Sequence, residues 1–246
     1  MILQIDVGNS QTKWRLVDGT EIRSRGSQHT QSLLDGPLIL GDINTPSSAQ
    51  LCSVADVSIE LRIGCQITDQ YGIRVQIAQV SPRVGQVTCG YHEPNNLGID
   101  RWLAIVAAYH QDRCATLVVD VGSAMTIDLI GPDGQHQGGY ILPGIQLMRQ
   151  SLWRGTDQVK VDAIAVTNVL VPGMHTADAV NKGCLLAAVA AVEKLASEYP
   201  AAIVVTGGDA LALIDALSLK AKHSPDLVLE GLSVEGIAML SYESAV

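Results

Sequence analysis

Ile2-Leu3-Gln4-Ile5-Asp6-Val7-Gly8-Asn9-Ser10, followed by Lys13-Trp14-Arg15-Leu16-Val17-Asp18-Gly19, reads as two strands joined by a tight turn. Alternation and β-branching give each side strand character, and Gly8 with Asn9 supplies the turn. Polar side chains collect at its tip. A second copy stands at Thr116-Leu117-Val118-Val119-Asp120-Val121-Gly122-Ser123-Ala124-Met125-Thr126-Ile127-Asp128-Leu129. In both units an apolar strand runs into Asp-Val-Gly, then a small hydroxyl-bearing stretch, then a second strand ending near an Asp-Gly pair, Asp18-Gly19 or Asp133-Gly134. Two such turns about half a chain apart predict duplicated domains.

The segments around these hairpins extend the pattern. Trp102, Ile105, Val106 and Tyr109 recur at helical spacing between Gly98 and His110, which places Asp100 and Arg101 in a first helical turn. Residues 22–38 are polar with weak signals, Leu38 to Leu40 suggest a short strand, and Ser53 to Val80 read as several short β-like runs including Ile73 to Ile77. Gly138-Gly139-Tyr140-Ile141-Leu142-Pro143-Gly144 predicts a strand entering a tight connection, and Ile145, Met148 and Leu152 mark the helix after it. Asp157 to Met174 is irregular or holds short strands. From Ala177 to Ser197 the apolar stripe Val180, Cys184, Ala188, Val192 and Leu195 predicts a longer helix. Ala201 to Thr206 returns to strand, Gly207-Gly208-Asp209 breaks it, and a helix follows over 210–219. Leu227 to Leu229 reads as the last strand and Val234 to Tyr242 as a closing helix.

This order predicts an α/β chain with mixed sheets, given twice, with domains at 1–112 and 113–246. A dinucleotide-binding fold is disfavoured because no Gly-x-Gly-x-x-Gly leads from the first strand into a helix. The phosphate-loop signature ending in Gly-Lys-Ser/Thr is missing as well.

Composition narrows the partners. With 47% hydrophobic and 17% charged residues, the 246-residue chain reads as a compact folded protein rather than a disordered one. Phe is absent and aromatics make up 4%, so the core must be built from Val, Ile, Leu and Ala. A net charge of -9 without a Lys/Arg cluster opposes a broad grip on nucleic acid. A local anion site of backbone N–H groups remains open. The opening Met1 to Asp6 is too short for a signal peptide, and the Ala-rich stretch Gly183 to Val192 is about half a membrane span, so no membrane partner is expected. Cys52, Cys65, Cys89, Cys114 and Cys184 form neither a close pair nor a metal-binding spacing, which suits a cytoplasmic protein with reduced thiols.

The hairpins suit phosphate chemistry. A turn through Gly8 lets the backbone approach an oxygen-rich ligand, and its N–H groups with Asn9, Ser10 and Lys13 would receive phosphoryl charge. Asp6, at the end of the strand, would hold a hydrated divalent cation. Asp120, Gly122 and Ser123 form the complementary set, so that the two turns are expected to grip opposite sides of a polyphosphate. Gly207-Gly208 after a strand resembles a nucleotide-facing turn. Asp100 is the candidate to accept a proton from an alcohol, with Arg101 orienting the substrate. The plainer readings are turn capping for Asp6 and Asp120, a solvated strand lysine for Lys13, helix capping for Asp100 and strand termination for Gly207-Gly208. On their residues alone Cys89, Tyr91, His92 and Trp153 read as packing or rim positions.

Together these segments resemble the type III pantothenate kinases, within the acetate and sugar kinase/Hsp70/actin superfamily, over nearly the whole chain. Asp6 to Ser10 with Lys13 is similar to the family's first phosphate motif, Gly98-Ile99-Asp100-Arg101 to its Gly-x-Asp-Arg substrate motif, and Asp120 to Thr126 to its second phosphate motif. Gly138 to Gly144 and Thr206-Gly207-Gly208 add further matches. The resemblance implies two duplicated ribonuclease H-like domains of the actin/hexokinase type. It also implies ATP-dependent phosphorylation of pantothenate to 4'-phosphopantothenate, the first step of coenzyme A synthesis, with Mg2+ and a monovalent cation, K+ or NH4+, in a homodimer. On the same basis Asp100 is the general base, Tyr91, Gly98, Arg101 and Thr176 approach pantothenate, Asp6 supports the metal-nucleotide complex and Asp120 is a ligand for the monovalent cation. Ser123 departs from the usual Thr, keeping the hydroxyl and losing a methyl. After Pro143-Gly144 the usual Thr-Ala-x-Leu-Pro-like sequence is represented only by Thr156-Asp157-Gln158-Val159. The alternatives are another small-alcohol kinase of the superfamily, distinguished by the pocket around Tyr91 to Arg101, and a nucleotide-binding regulator without turnover. Retention of Asp100-Arg101 favours catalysis.

Overall fold

The computed structural model describes residues 1–155 and 170–242. They form two compact units, one of Met1–His110 together with the chain from Leu227 onward, the other of Gln111–Asp226.

In the first unit, β1 (Ile2–Val7), β2 (Gln11–Asp18) and β3 (Glu21–His29) form a meander. β4 (Ser48–Ser53) follows, then α1 (Val57–Tyr71) and β5 (Val75–Gln79). A two-rung hairpin, β6 (Arg83–Val84) with β7 (Val87–Thr88), leads to α2 (Ile99–Asp112). The second unit repeats the plan with β8 (Thr116–Val121), β9 (Ala124–Ile130) and β10 (His136–Pro143), then α3 (Ile145–Gly155), α4 (Thr176–Glu198) and β11 (Ala202–Thr206), then α5 (Ala210–Ala216) and β12 (Lys222–His223). α6 (Leu227–Leu232) and β13 (Ala238–Ser241) close the described chain.

The sheet orders make the duplication explicit. One sheet runs β13-β5-β4-β1-β2-β3 and the other β12-β11-β8-β9-β10 when read in the same sense. In each, the first strand pairs antiparallel with the second and parallel with the strand after the crossover. The result is two mixed sheets of duplicated topology, the arrangement of actin/hexokinase-type kinases.

Each core is mainly aliphatic, with Trp14 a buried aromatic of the first. Leu3, Ile5, Val7 and Leu51 pack against Ile59, Ile63 and Ile67 of α1. Leu117, Val119, Val121 and Ile127 pack against Leu185, Ala188, Val189 and Val192 of α4. The other face of the first sheet carries polar residues that are nonetheless buried. Arg15 Nε donates to Gln4 Oε1 (2.8 Å), and Arg15 Nη2 donates to the Leu229 carbonyl of α6 (2.9 Å). Charge-assisted bonds of this kind offset the desolvation of the guanidinium and fix α6 over β1 and β2.

Several sequence expectations are corrected. Of the short β-like runs expected over 53–80, the one around Ile73 to Ile77 overlaps β5, whereas 57–71 is α1. Its signal was Ile59, Ile63 and Ile67 at i, i+4, i+8, an Asp56 cap accepting from Ser58 N–H, and Gly72 closing the helix at φ 65°. Residues 21–29, with weak signals in sequence, form edge strand β3 with alternating burial, while Leu38 to Leu40 form no strand. The last two elements exchange types. Leu227 to Leu229 lie in helix α6, because a short apolar run buried on every side gives no period. Residues 238–241 form strand β13, paired antiparallel with β5. The compact units divide the chain after His110 and again before Leu227, where the sequence reading placed one boundary, between 112 and 113. Thr156 to Val159, and the expectation of irregular or short-strand structure as far as residue 169, lie outside the described residues.

Candidate active site

In the first unit, β1 delivers Asp6 to the sheet end and the chain turns through Gly8, Asn9 and Ser10 into β2, where Lys13 pairs in register with Asp6. Three bonds shape this tip. Gly8 N–H donates to the Gln11 carbonyl (3.1 Å), Thr30 N–H donates to the Ser10 carbonyl (3.0 Å), and the Thr30 hydroxyl donates to the Gly8 carbonyl (2.7 Å). The amide of Gly8 thus closes the hairpin, and a Cβ there would lie 3.0 Å from the Gln11 carbonyl oxygen.

Cys52 on β4 pairs in parallel register with Asp6, and its thiol donates to Asp6 Oδ1 (3.5 Å). Burial pushes the Cys52 thiol well above its ordinary range, with Asp6 and then Asp100 adding to the shift. Both carboxylates thus act in the same direction on this buried sulfur.

Asp100 and Arg101 occupy the first turn of α2, as the periodicity predicted. Asp100 Oδ1 accepts the backbone N–H of Arg101 within that turn (2.8 Å), and a Cβ on Gly98 would come within 2.6 Å of that oxygen. Buried Arg101 donates from Nη1 to the Tyr91 hydroxyl (2.8 Å) and stacks over the Tyr91 ring at 5.6 Å. Tyr91, Gly98, Asp100 and Arg101 are thereby assembled. His92 is exposed.

In the second unit, Asp120 ends β8, Gly122 and Ser123 make the turn, and the Gly122 N–H donates to the Ala124 carbonyl (3.0 Å). Two loops brace this tip. Gly144 N–H donates to the Ser123 carbonyl (3.1 Å) and Asp209 N–H to the Val121 carbonyl (3.0 Å). Gly207 adopts φ 97°, and a Cβ there would lie 2.5 Å from both Asp120 Oδ1 and the Val121 carbonyl oxygen. Glycine is required on both counts. A Cβ on Gly122 would meet nothing nearer than Asp120 Oδ1 at 3.5 Å, and one on Gly208 would meet nothing within 4 Å. Their open faces are available to a bound molecule. Thr176 opens α4 and is exposed, behind a His175 cap whose ring nitrogen accepts the Asp178 N–H (3.3 Å). Among the described residues no group of three or more His, Cys, Asp or Glu could hold a metal by itself.

The sequence model of the type III pantothenate kinase family matches residues 2–198. The chain belongs to that family. A type III pantothenate kinase of Chromohalobacter salexigens is 38% identical over 242 residues, covering 94% of this chain and 86% of its own. One from Ectopseudomonas mendocina is 38% identical over 245 residues, covering 95% and 98%. Among solved structures, a protein from Campylobacter jejuni described as a Baf family transcriptional activator is similar in fold, with TM-score 0.58, 23% identity and coverage of 94% of this chain and 95% of that one.

Measured against this type III pantothenate kinase frame, two contributors escaped the sequence reading as site residues. Cys52 was counted only as an unpaired cysteine, because its value depends on the parallel register with β1. Gly144 reads in sequence only as part of the tight connection after a strand, within a segment similar to the family's. Its signal was the Pro143-Gly144 pair, and its purpose emerges only where it touches Ser123.

Proposed function

We infer that this type III pantothenate kinase transfers the γ-phosphoryl group of ATP to the primary hydroxyl of pantothenate, giving 4'-phosphopantothenate and ADP and opening coenzyme A synthesis. The observation that carries the reading is the repeated strand-end aspartate, Asp6 and Asp120, each followed by a glycine turn at the same place in a duplicated sheet. Asp100 beside a Tyr91-anchored Arg101 adds the acceptor side.

The residues take the following roles. Asp100 orients the alcohol and accepts its proton as the new O–P bond forms. Arg101, its guanidinium planar and held by Tyr91, binds the carboxylate of pantothenate, and Tyr91, Gly98 and Thr176 are the other residues proposed to approach that substrate. Asn9, Ser10 and Lys13 are the proposed phosphate contacts at the first hairpin, where Gly8 makes the turn, Gly122 and Ser123 are those at the second, and Gly207 and Gly208 are the residues proposed for the nucleoside. Asp6 would hold Mg2+. Magnesium is commonly bound through one or two carboxylates plus substrate phosphates, so a lone strand-end carboxylate fits it. Bound there, the ion would neutralise charge developing on the phosphates. Asp120 is the side chain proposed for K+ or NH4+.

A homodimer is the proposed assembly. Edge strand β10 exposes Tyr140 and Ile141, α3 exposes Leu147, Leu152 and Trp153, and α4 exposes Leu186, an apolar surface within one unit that a second copy would cover. Among the described residues no helix is long and apolar enough to cross a membrane, and we place the enzyme in the cytoplasm. An assay of ATP-dependent 4'-phosphopantothenate formation with K+ or NH4+ varied tests substrate and cation together. Turnover of ATP with other alcohols and none with pantothenate would overturn the assignment.

A further inference from the structure

Beside each strand-end aspartate, the parallel neighbouring strand offers one small donor side chain. In the first unit it is Cys52 opposite Asp6, in the second Thr206 opposite Asp120. Both are buried, Cys52 at 0% and Thr206 at 3% relative exposure. Cys52 lies on the face of β4 opposite Ala49 and Leu51, beside Gln50 and across from Gln4 and Asp6 of β1, while Thr206 lies on the face of β11 opposite Ile203 and Val205. Hydrophobic packing alone would be met by Ala or Val at position 52, yet the residue there carries an S–H within reach of Asp6 Oδ1 at 3.5 Å.

We propose that Cys52 is a positioning residue for the metal-nucleotide side of the kinase site, its thiol fixing the rotamer of the Asp6 carboxylate. The chemistry favours a thiol for this task. A neutral S–H orients one carboxylate oxygen without adding a further positive charge beside Asp6, where Lys13 already stands in register. Partners that hold a ligating carboxylate in place are worth roughly 10- to 100-fold in metal affinity, and a weak sulfur donor belongs at or below the lower end. The inference rests on Asp6 serving the magnesium-nucleotide complex.

The test compares parent enzyme with Cys52→Val, Cys52→Ala, Cys52→Ser and Asp6→Asn. Magnesium-dependent ATP binding is followed by titration calorimetry without pantothenate, beside steady-state rates across magnesium concentrations and the Tm of each variant. Cys52→Val keeps the core filled where Cys52→Ala leaves a gap, so a folded donor-free variant is at hand. Loss of the donor is expected to weaken the magnesium-dependent part of ATP binding by about three- to tenfold, with the KM for pantothenate unmoved. Cys52→Ser, which restores a donor, recovers most of that loss. If Cys52→Val and Cys52→Ala bind magnesium-ATP like the parent while Asp6→Asn does not, position 52 is packing only and the proposal falls. If Asp6→Asn also binds like the parent, the reading of Asp6 falls first and takes the proposal with it.

Discussion

The two hairpin tips are copies of one device, held in place by different means. In both, the residue following the third strand donates its N–H to a serine carbonyl of the tip, Thr30 to Ser10 in one and Gly144 to Ser123 in the other. In both, the chain leaving the crossover strand donates to the valine after the aspartate, Val54 to Val7 and Asp209 to Val121. At the first tip the bracing residue carries a side chain, and Thr30 uses its hydroxyl as a second clamp on Gly8. At the second the bracing positions admit none: an added methyl at Gly144 would overlap the Gly122 carbonyl oxygen, and one at Gly207 would crowd Asp120. Duplication conserved the backbone pattern and left the bracing to diverge, one copy by side-chain hydrogen bonds, the other by close backbone approach.

That contrast can be broken most severely at the second tip. Gly144→Ala and Gly207→Ala each force backbone apart, and Gly207 adds strain at positive φ, so a loss of at least ~2 kcal/mol of stability and near-complete loss of turnover are expected. Thermal unfolding and the product assay would show it. Parent-like Tm and rate in both variants would mean that backbone approach does not brace this tip.

Asp100→Asn comes next, with kcat falling roughly 10²- to 10⁴-fold while ATP binding persists, since the group lost is the proposed proton acceptor and not a phosphate contact. Equal fractional losses in kcat and nucleotide affinity would move Asp100 out of that role. Gly122→Ala separates ligand space from fold. Because a Cβ there meets only ordinary contacts, Tm should hold while ATP binds about tenfold more weakly, a change of about 1.4 kcal/mol. A drop in Tm of the size seen for Gly144→Ala would show that the hairpin, not the ligand, needs the gap.

At the first tip, Thr30→Val removes the hydroxyl that reaches the Gly8 carbonyl and contacts Thr12, an expected cost of about 1–3 kcal/mol, and Thr30→Ser should restore most of it. Denaturant unfolding of the two variants provides the measurement. The smallest effect is chemical. Exposed Cys65 should be labelled by a thiol reagent in the native enzyme at pH 8, whereas Cys52, buried and held in the thiol form beside Asp6, should react only on unfolding. Native labelling of Cys52 would contradict the closed packing against β1.

Much of this was legible in the chain itself. The repeated Asp-Val-Gly turn, the helical placement of Asp100 and Arg101, and the stripe of α4 follow from local pattern, where residue type and period carry the information. Failures fell where local pattern is silent or misleading. Isoleucines at helical spacing in 57–71 were masked by their own β propensity, because burial against the first sheet overrides the preference of a β-branched side chain. Leu227 to Leu229 and residues 238–241 were too short to show a period, and their types were settled by what they cover and pair with.

By itself, the sequence determined the duplicated turns, the aspartate ending each of their first strands and the membership in a kinase family, since these reside in contiguous residues. Tertiary structure alone decided that Cys52 lies against Asp6, that Gly144 and Gly207 buttress the second turn, and that the tail returns to the first unit. Strand register and close backbone approach are relations between distant segments, set by how sheets and helices exclude water together, and no single stretch of chain encodes them.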